Sequence, residues 1–220
     1  MSWQTTKLPT ASAWPMITRS LSGPRCIGSP SVDGFIAGPN DGPGSGLGDG
    51  GHRLHEWLGM DSEGSHNDAV ARLSGVNREV MDELMATGAV VTGRRTFEHA
   101  GGWGGDHHDG VPIFVLTRRQ PDATMQWPAV TYVSDVKDAV HIAKEAAGDK
   151  DVLVHGAVTA QLALTAGALD ELHIHLVPVL LGQGRRLFED LPPDHVELEL
   201  LRTLDGPGVQ HLRYRVRSAG

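Results

Sequence analysis

Cysteine is almost missing from the chain: Cys26 is the only one among 220 residues. No intrachain disulfide can form, and a reducing compartment such as the cytoplasm is expected. Cys26 sits beside Ile27 with no His or Asp partner close in sequence, so a buried, idle thiol is favoured over a nucleophile. Long hydrophobic runs are missing too. None approaches the roughly 20 apolar residues that a bilayer-spanning helix needs, so no membrane partner is expected. Positive charge is scarce, with 19 Lys and Arg against 27 Asp and Glu and a net charge of -8. That balance argues against an open nucleic-acid surface, because phosphate binding rests on clustered cations, although a local basic pocket is allowed. The first 32 residues lack acids altogether and are rich in Ser, Thr and Pro. This composition predicts a disordered extension over residues 1–24 ahead of one domain over 25–220. Finally, HExxH, paired CxxC and the P-C-x-x-C half of a zinc-deaminase signature are all absent. No metal is expected, and any deamination step would belong to another protein.

What is present is an alternation of short apolar runs and helical periodicity, the pattern of a parallel α/β sheet. Asn77–Thr87 has helical spacing and stops at Gly88, and a buried strand follows at Ala89-Val90-Val91. Val111–Thr117 and Val130–Val133 are further strands. Ser134 or Asp135 can cap a helix whose Val136, Ala139, Val140, Ala143 and Ala147 share a face and which Gly148 ends. Val152–Val154 runs into His155-Gly156-Ala157 and a helix carrying Val158, Leu162, Thr165 and Ala166. Leu172, Ile174 and Leu176 alternate with His173 and His175, which predicts a strand with unlike faces. Glu197–Leu204 and Val209–Val216 flank Asp205-Gly206-Pro207-Gly208 as an antiparallel hairpin. Pro39–Gly51 holds too much Gly and Pro for a regular element, so it is a loop, read as a lid in preference to a linker. Asp61–Gly75 is a second insertion.

Three strand ends carry chemistry. Val91-Thr92-Gly93-Arg94-Arg95-Thr96 passes from a strand through Gly into two guanidinium groups at a helix start, which suits a phosphate. Leu116-Thr117-Arg118-Arg119 ends the next buried strand. In open α/β sheets ligands gather at the carboxyl ends of strands, so the two Arg pairs point to one anionic site. Four arginines exceed what one diphosphate needs, which favours a 2′-phosphorylated nucleotide, NADPH over NADH. His155-Gly156-Ala157 is a third such end.

The segments SVDGFIAGPNDG, VVTGRRTFE, PIFVLTRR, AAGDKDVLVHGAVTAQLAL and LDELHIHLVPVLLGQGRRLFEDL, in this order, resemble the successive motifs of the dihydrofolate reductase-like superfamily. The branch they resemble is the C-terminal reductase domain of the bacterial bifunctional deaminase-reductase (RibD). The resemblance implies a dihydrofolate reductase-like three-layer fold, a mainly parallel central sheet finished by a C-terminal antiparallel hairpin. It implies that Gly93, Arg94, Arg95 and Thr96 hold cofactor phosphates. Leu116, Thr117, Arg118 and Arg119 would flank the adenosine 2′-phosphate. His155, Gly156, Ala157, Val158 and Thr159 would run along the diphosphate and nicotinamide, with Ala37 and Gly38 near the nicotinamide ring. Two departures stand out. Ala157 replaces a glycine common among relatives, and Gly28 and Pro30 interrupt Arg25–Ser31, where a central buried strand is expected.

For proton transfer to the reduced substrate, Asp33 and Glu56 are the candidate acids, with Trp57 over the substrate. Asp33-Gly34 also fits a turn, Glu56 a solvated helix position, and Trp57 a core aromatic. His173 and His175 could line the contact of a homodimer. The function expected is an NADPH-dependent reductase of a small heterocyclic or ribosylamino-pyrimidine-like substrate, of riboflavin or pterin type. The alternatives are a specialised-metabolism or resistance reductase with an unrelated substrate and a non-catalytic nucleotide-binding protein.

Overall fold

The computed structural model describes residues 22–59, 72–119, 122–189, 191 and 195–217. Most of the expected 1–24 extension and of the Asp61–Gly75 insertion therefore lies outside the described residues. In chain order the strands are β1 (Pro24–Gly28), β2 (Phe35–Ala37), β3 (Ala89–Gly93), β4 (Ile113–Leu116), β5 (Val130–Val133), β6 (Val152–His155), β7 (Glu171–Leu176), β8 (Arg185–Arg186), β9 (Leu198–Gly206) and β10 (Val209–Val216). The helices are α1 (Gly75–Met85), α2 (Arg94–His99), α3 (Val136–Ala147) and α4 (Ala157–Thr165), with 3-10 turns at Gly51–Leu58, Gly101–Gly105 and Ala123–Met125. Eight strands form one sheet in the order β5-β4-β3-β6-β1-β7-β10-β9, and β2 pairs with β8 in a small second sheet. From β5 to β7 every pairing is parallel, while β7-β10 and β10-β9 are antiparallel. This is the expected mixed α/β architecture, a mostly parallel sheet finished by a hairpin.

The continuous apolar runs are explained by burial on both faces of the sheet. Val91, Phe114, Val152 and Val154 pack with Ala139, Ala143 and Ala147 of α3 and Ala160 and Ala163 of α4, where small side chains let the helices lie close to the strands. Val90, Ile113, Val115 and Leu153 point the other way, against Phe97 of α2 and a layer of Trp103, Trp127 and Tyr132. Asp135 caps α3, its carboxylate accepting from the amides of Lys137 and Asp138, and Gly148 follows the last turn.

The interruption of the first strand is milder than the sequence implies. β1 pairs on both sides, with β6 and β7. Pro24 opens it, where no ladder amide is needed, and its carbonyl accepts from Asp170. Gly28 closes it and Pro30 falls beyond. Cys26 is fully buried in this strand and burial raises its thiol to about 12, so it is inert.

The strand with unlike faces is a correction of another kind. His173 and His175 of β7 are buried, 6% and 3% exposed, whereas Ile174 and Leu176 are only half-buried. These histidines pack inside the chain. Trp57 packs against His175, and His211 of the neighbouring strand β10 lies beside it, both far away in sequence.

Candidate active site

Parallel pairing brings four strand ends to one edge of the sheet. Thr92 pairs with His155, Gly93 with Leu116, and Ile27 with both His155 and His173. The chain leaves the sheet here at Gly28, Gly93, Thr117 and Gly156, and between these exits opens a cleft of about 1390 Å³. Its place, outside the carboxyl ends of the strands, is where doubly wound sheets hold ligands.

Two of the exits interlock. Gly156 has φ 96° and ψ 141°, a conformation open to glycine and costly for other residues. A Cβ there would stand 2.5 Å from Thr96 Oγ1, and a Cβ on Gly93 would stand 2.8 Å from Thr159 Oγ1. Each glycine thus makes room for the threonine of the other strand-helix junction. One glycine suffices for the special backbone geometry, and Ala157 simply begins α4.

Among the described residues three buried polar atoms near this junction find no partner, Thr92 Oγ1, Thr159 Oγ1 and His155 Nδ1, and of their residues Thr159 and His155 line the cleft. Buried polar groups are normally satisfied, so orphans at a cleft wall mark a place where a bound molecule supplies the partners. Burial lowers the His155 imidazole to about 4, so it is neutral near pH 7. Trp103 stacks on the His155 ring at 5.6 Å between centroids. It does so from a backbone with φ 50°, rare for a bulky residue, and such outliers gather at ligand sites. Val158 and Leu162 of α4 also line the cleft and remain 58% and 44% exposed. An apolar helix face left open in a cleft suits the flat face of a ring.

The four arginines are not equivalent. Arg94 gives both oxygens of Glu98 a 2.8 Å hydrogen bond along α2. Arg95 and Arg185 share Asp41. Among the described residues no carboxylate pairs with Arg118 or Arg119, both of which line the cleft and are exposed. Thr117 Oγ1 accepts from the Arg119 amide at 3.0 Å, bending the chain so that Arg118 stands at the apex. The uncompensated positive charge of the cleft is therefore at the end of β4.

The glycine-rich loop is folded. Gly38 donates to the Leu47 carbonyl and Asp49 to that of Pro39, and Gly42 bridges Ser45. Asp41 ties the loop to Arg95 on α2 and Arg185 on β8. Burial pushes the Asp41 carboxyl up, but the Arg185 and Arg95 pairs outweigh it and hold the carboxyl below its ordinary value.

Residues 29–210 match the family model of the RibD C-terminal domain. The chain belongs to that family. No curated protein matches this RibD-family chain in sequence, but solved structures share its fold. A Shewanella sp. PV-4 protein provisionally assigned to riboflavin biosynthesis is similar at TM-score 0.65 and 19% identity, covering 89% of this chain and 99% of that one. A bifunctional diaminohydroxyphosphoribosylaminopyrimidine deaminase/5-amino-6-(5-phosphoribosylamino)uracil reductase from Thermotoga maritima gives 0.55 at 13% identity, covering 89% of this chain and 57% of that one. The dihydrofolate reductase of Enterococcus faecalis, complexed with NADP(H), gives 0.52 at 16% identity, covering 90% and 98%.

Measured against the family's motif positions, the RibD-family cleft gathers nearly all the residues expected to hold a cofactor. Ala37, Gly93, Arg94, Arg95, Thr96, Leu116, Thr117, Arg118, Arg119, and His155 through Thr159 all line it. Gly38 does not. It is held under the loop, where a Cβ would stand 1.8 Å from the Asp49 carbonyl oxygen. Trp57 lines the cleft, but the structure brings neither candidate acid to it. Asp33 accepts from the Ser31 hydroxyl at 2.5 Å and from the amides of Leu181 and Gly182 at 3.1 and 2.7 Å. The Ser31 bond foremost, then those amides, lower its carboxyl below the ordinary value. It organises a turn. Glu56 is exposed and pairs with Arg53 on its own 3-10 turn. Asp41, Trp103 and Arg185 had no assigned role in the sequence. The SVDGFIAGPNDG motif contains Asp41 and the GQGRR run contains Arg185, and nothing pointed to Trp103. Among the described residues no cluster of three or more potential ligands is placed to hold a metal ion, and no helix is long and apolar enough to cross a membrane.

Proposed function

We propose that this chain is an NADPH-dependent reductase that delivers hydride to a C=N or C=O carbon of a small heterocycle of ribosylamino-pyrimidine or pterin type. The observation that carries the reading is the Gly93–Gly156 junction. There two strand ends meet, Gly93 and Gly156 each make room for the threonine of the other junction, and two buried polar atoms of cleft-lining residues, Thr159 Oγ1 and His155 Nδ1, have no partner among the described residues. Those atoms, with the uncompensated Arg118 and Arg119, fit a polyanionic dinucleotide. Membership in the RibD C-terminal domain family supports the same reading. So does a shared fold with a uracil-intermediate reductase and with a dihydrofolate reductase that carries NADP(H).

NADPH supplies the hydride, and the chain's own residues do the rest. The turns at Gly93 and Gly156 would present the first amides of α2 and α4 to the diphosphate. Arg118 would offer a 2′-phosphate a planar, permanently charged fork. Val158 and Leu162 offer an apolar surface for the nicotinamide, and the loop tethered by Asp41 keeps water from the reacting faces. Neutral His155, stacked on Trp103, is placed to hydrogen-bond the cofactor without adding charge. The working assembly we propose is a homodimer. Since β7 is internal, the exposed β9 edge with Leu198 and Leu200 is the surface to examine.

The test is a fluorescence titration with NADPH and NADH. The chain should prefer NADPH, Arg118→Ala should lose most of that preference, and Arg94→Ala should keep it because Arg94 is engaged by Glu98. Absence of NADPH binding, or a preference indifferent to Arg118, rules the cofactor assignment out. A second reading, a nucleotide-binding protein without turnover, is favoured by one observation, that Asp33 and Glu56 lie outside the cleft. Tight NADPH binding with no oxidation of it across pterin and aminopyrimidine substrates would establish that reading instead.

A further inference from the structure

One wall of the cleft, away from the arginines, ends in a hydrogen-bonded chain that none of the cofactor-binding motifs accounts for. Asn77 Nδ2 donates to the carbonyls of Trp57 and Pro207, at 3.0 and 3.2 Å. Carbonyls only accept, so the amide is oriented and Oδ1 faces His211 Nε2 at 3.1 Å. His211 Nε2 therefore carries a proton and donates. Burial first, and Arg202 next, lower this imidazole to about 4, so the ring is neutral and its Nδ1 is a lone pair. His175 Nδ1 lies 2.8 Å from it and must be the donor. By elimination, the remaining nitrogen of His175, Nε2, is a lone pair. It is buried, it has no partner among the described residues, and its ring lines the cleft.

The chain is built to stay this way. A Cβ on Gly206 would stand 2.0 Å from Asn77 Oδ1 and 3.0 Å from His211 Nε2, so the glycine is what allows that bond to form. Protonation of His175 is disfavoured by burial and by His211, His173, His55 and Arg202 around it. The chain ends on an amide, which has no proton to lose near neutral pH. It therefore fixes a tautomer and does not conduct protons.

A donor stands beside this acceptor. The β1–β7 register pairs Gly28 with Ile174 and resumes at Ser31 with Val177, which sets Ser29 next to His175. Ser29 Oγ accepts from Trp57 Nε1 at 3.2 Å, leaving its own O–H to give, and the same indole lies 4.8 Å from the His175 ring. We propose that His175 Nε2 and the Ser29 hydroxyl read a lactam edge of the substrate ring, the acceptor taking its N–H and the donor its adjacent C=O. This deepens the reductase reading, on which it rests for the role of the cleft. It assigns substrate choice to a residue pair remote from the Gly93 and Gly156 junction.

The probes are 5,6-diaminouracil, which has ring N–H groups beside C=O, and 5,6-diamino-1,3-dimethyluracil, in which both are methylated. Titrated into the full chain, the dimethyl compound should bind about ten-fold or more weaker, the usual consequence of leaving a buried polar group unpaired. In His175→Leu that ratio should fall to about two-fold or less. In protein labelled with 15N at histidine, His175 Nε2 should resonate as an unprotonated ring nitrogen in the free chain. It should move on addition of 5,6-diaminouracil but not of the dimethyl compound, and Asn77→Ala should remove the fixed tautomer. A proton on His175 Nε2 in the free chain, or discrimination that survives His175→Leu, overturns the proposal, as does failure of the unmethylated ring to bind. NADPH titration of the same samples separates the two readings. Intact NADPH binding without His175-dependent discrimination sinks only this proposal, and the reverse result sinks only the cofactor assignment.

Discussion

Gly156 and Thr96 lie so close that the Cβ which Gly156 lacks would stand 2.5 Å from Thr96 Oγ1. The contact joins the start of α4 to the start of α2, and the backbone at Gly156 reaches it with φ 96°. Gly156→Ala would therefore suffer twice, from the left-handed backbone and from the clash. A loss of about 2 kcal/mol or more in unfolding free energy is expected by urea denaturation, together with weakened NADPH binding. Thr96→Ala added to Gly156→Ala should recover the part due to the clash and leave the part due to φ. No recovery would mean that the crowding is not the cause.

Asp41 carries a different prediction, about motion. It bridges Arg95 and Arg185 with contacts of 2.9 and 3.1 Å while only 14% of its side chain is exposed. Replacing it by Asn keeps the shape and removes the charge that holds both guanidinium groups. Partly exposed pairs are worth about 1 kcal/mol, so the glycine-rich loop should open more often. The KM for NADPH should rise about five-fold, with kcat changed less. Steady-state kinetics decide this, and an unchanged KM would show that the loop is not held by this residue.

A third prediction concerns the buried charges under β10. Glu171, 7% exposed, accepts from Arg213 at 2.7 Å and from His173 at 3.0 Å. Its neighbour across the parallel register is Arg25, 6% exposed, which burial lowers to about 10 and which also pairs with Asp151. Removing one member of such a cluster leaves buried cations uncompensated. Glu171→Ala should cost about 3 kcal/mol of stability, visible as a lower urea midpoint with an unchanged slope. A cost under 1 kcal/mol would show that water reaches the cluster.

The parts of this molecule that were legible in the sequence are those in which neighbours in the chain are also partners in space. Ala89–Thr92 is a buried run followed at once by Gly93 and the arginines that the strand's end presents, so strand, turn and site were read together. Asp135, the amides it caps and the glycine ending α3 lie within one helix. Asp33 shows the opposite case. It does follow β1, but its fate is decided by the amides of Leu181 and Gly182, 148 and 149 residues away. His173 and His175 alternate with apolar residues in a way that suits a half-wet strand. Trp57, His211 and Asn77 make that face an interior one. Local periodicity reports which residues share a face and is silent on what covers it.

The neutral histidines give the stability of the protein a pH dependence of definite sign. His155 and His211 have about 4 in the folded chain, chiefly through burial, against about 6.5 when unfolded. His175 is lowered as well. Below pH 6.5 the unfolded chain takes up protons that the folded chain refuses, so stability falls as the pH drops. The loss runs from about pH 6.5 to about pH 4 and then stops for these groups, because both states are protonated. For His155 alone the difference between 6.5 and about 4 corresponds to about 3 kcal/mol. Urea midpoints measured in steps from pH 8 to pH 4 should be flat above about pH 7 and fall below it. His155→Gln, which cannot take up a proton, should make that fall shallower even if its midpoint at pH 8 is lower. An equal slope in the variant would show that His155 is protonated in the folded chain, and would remove the neutral imidazole assigned to the cofactor wall.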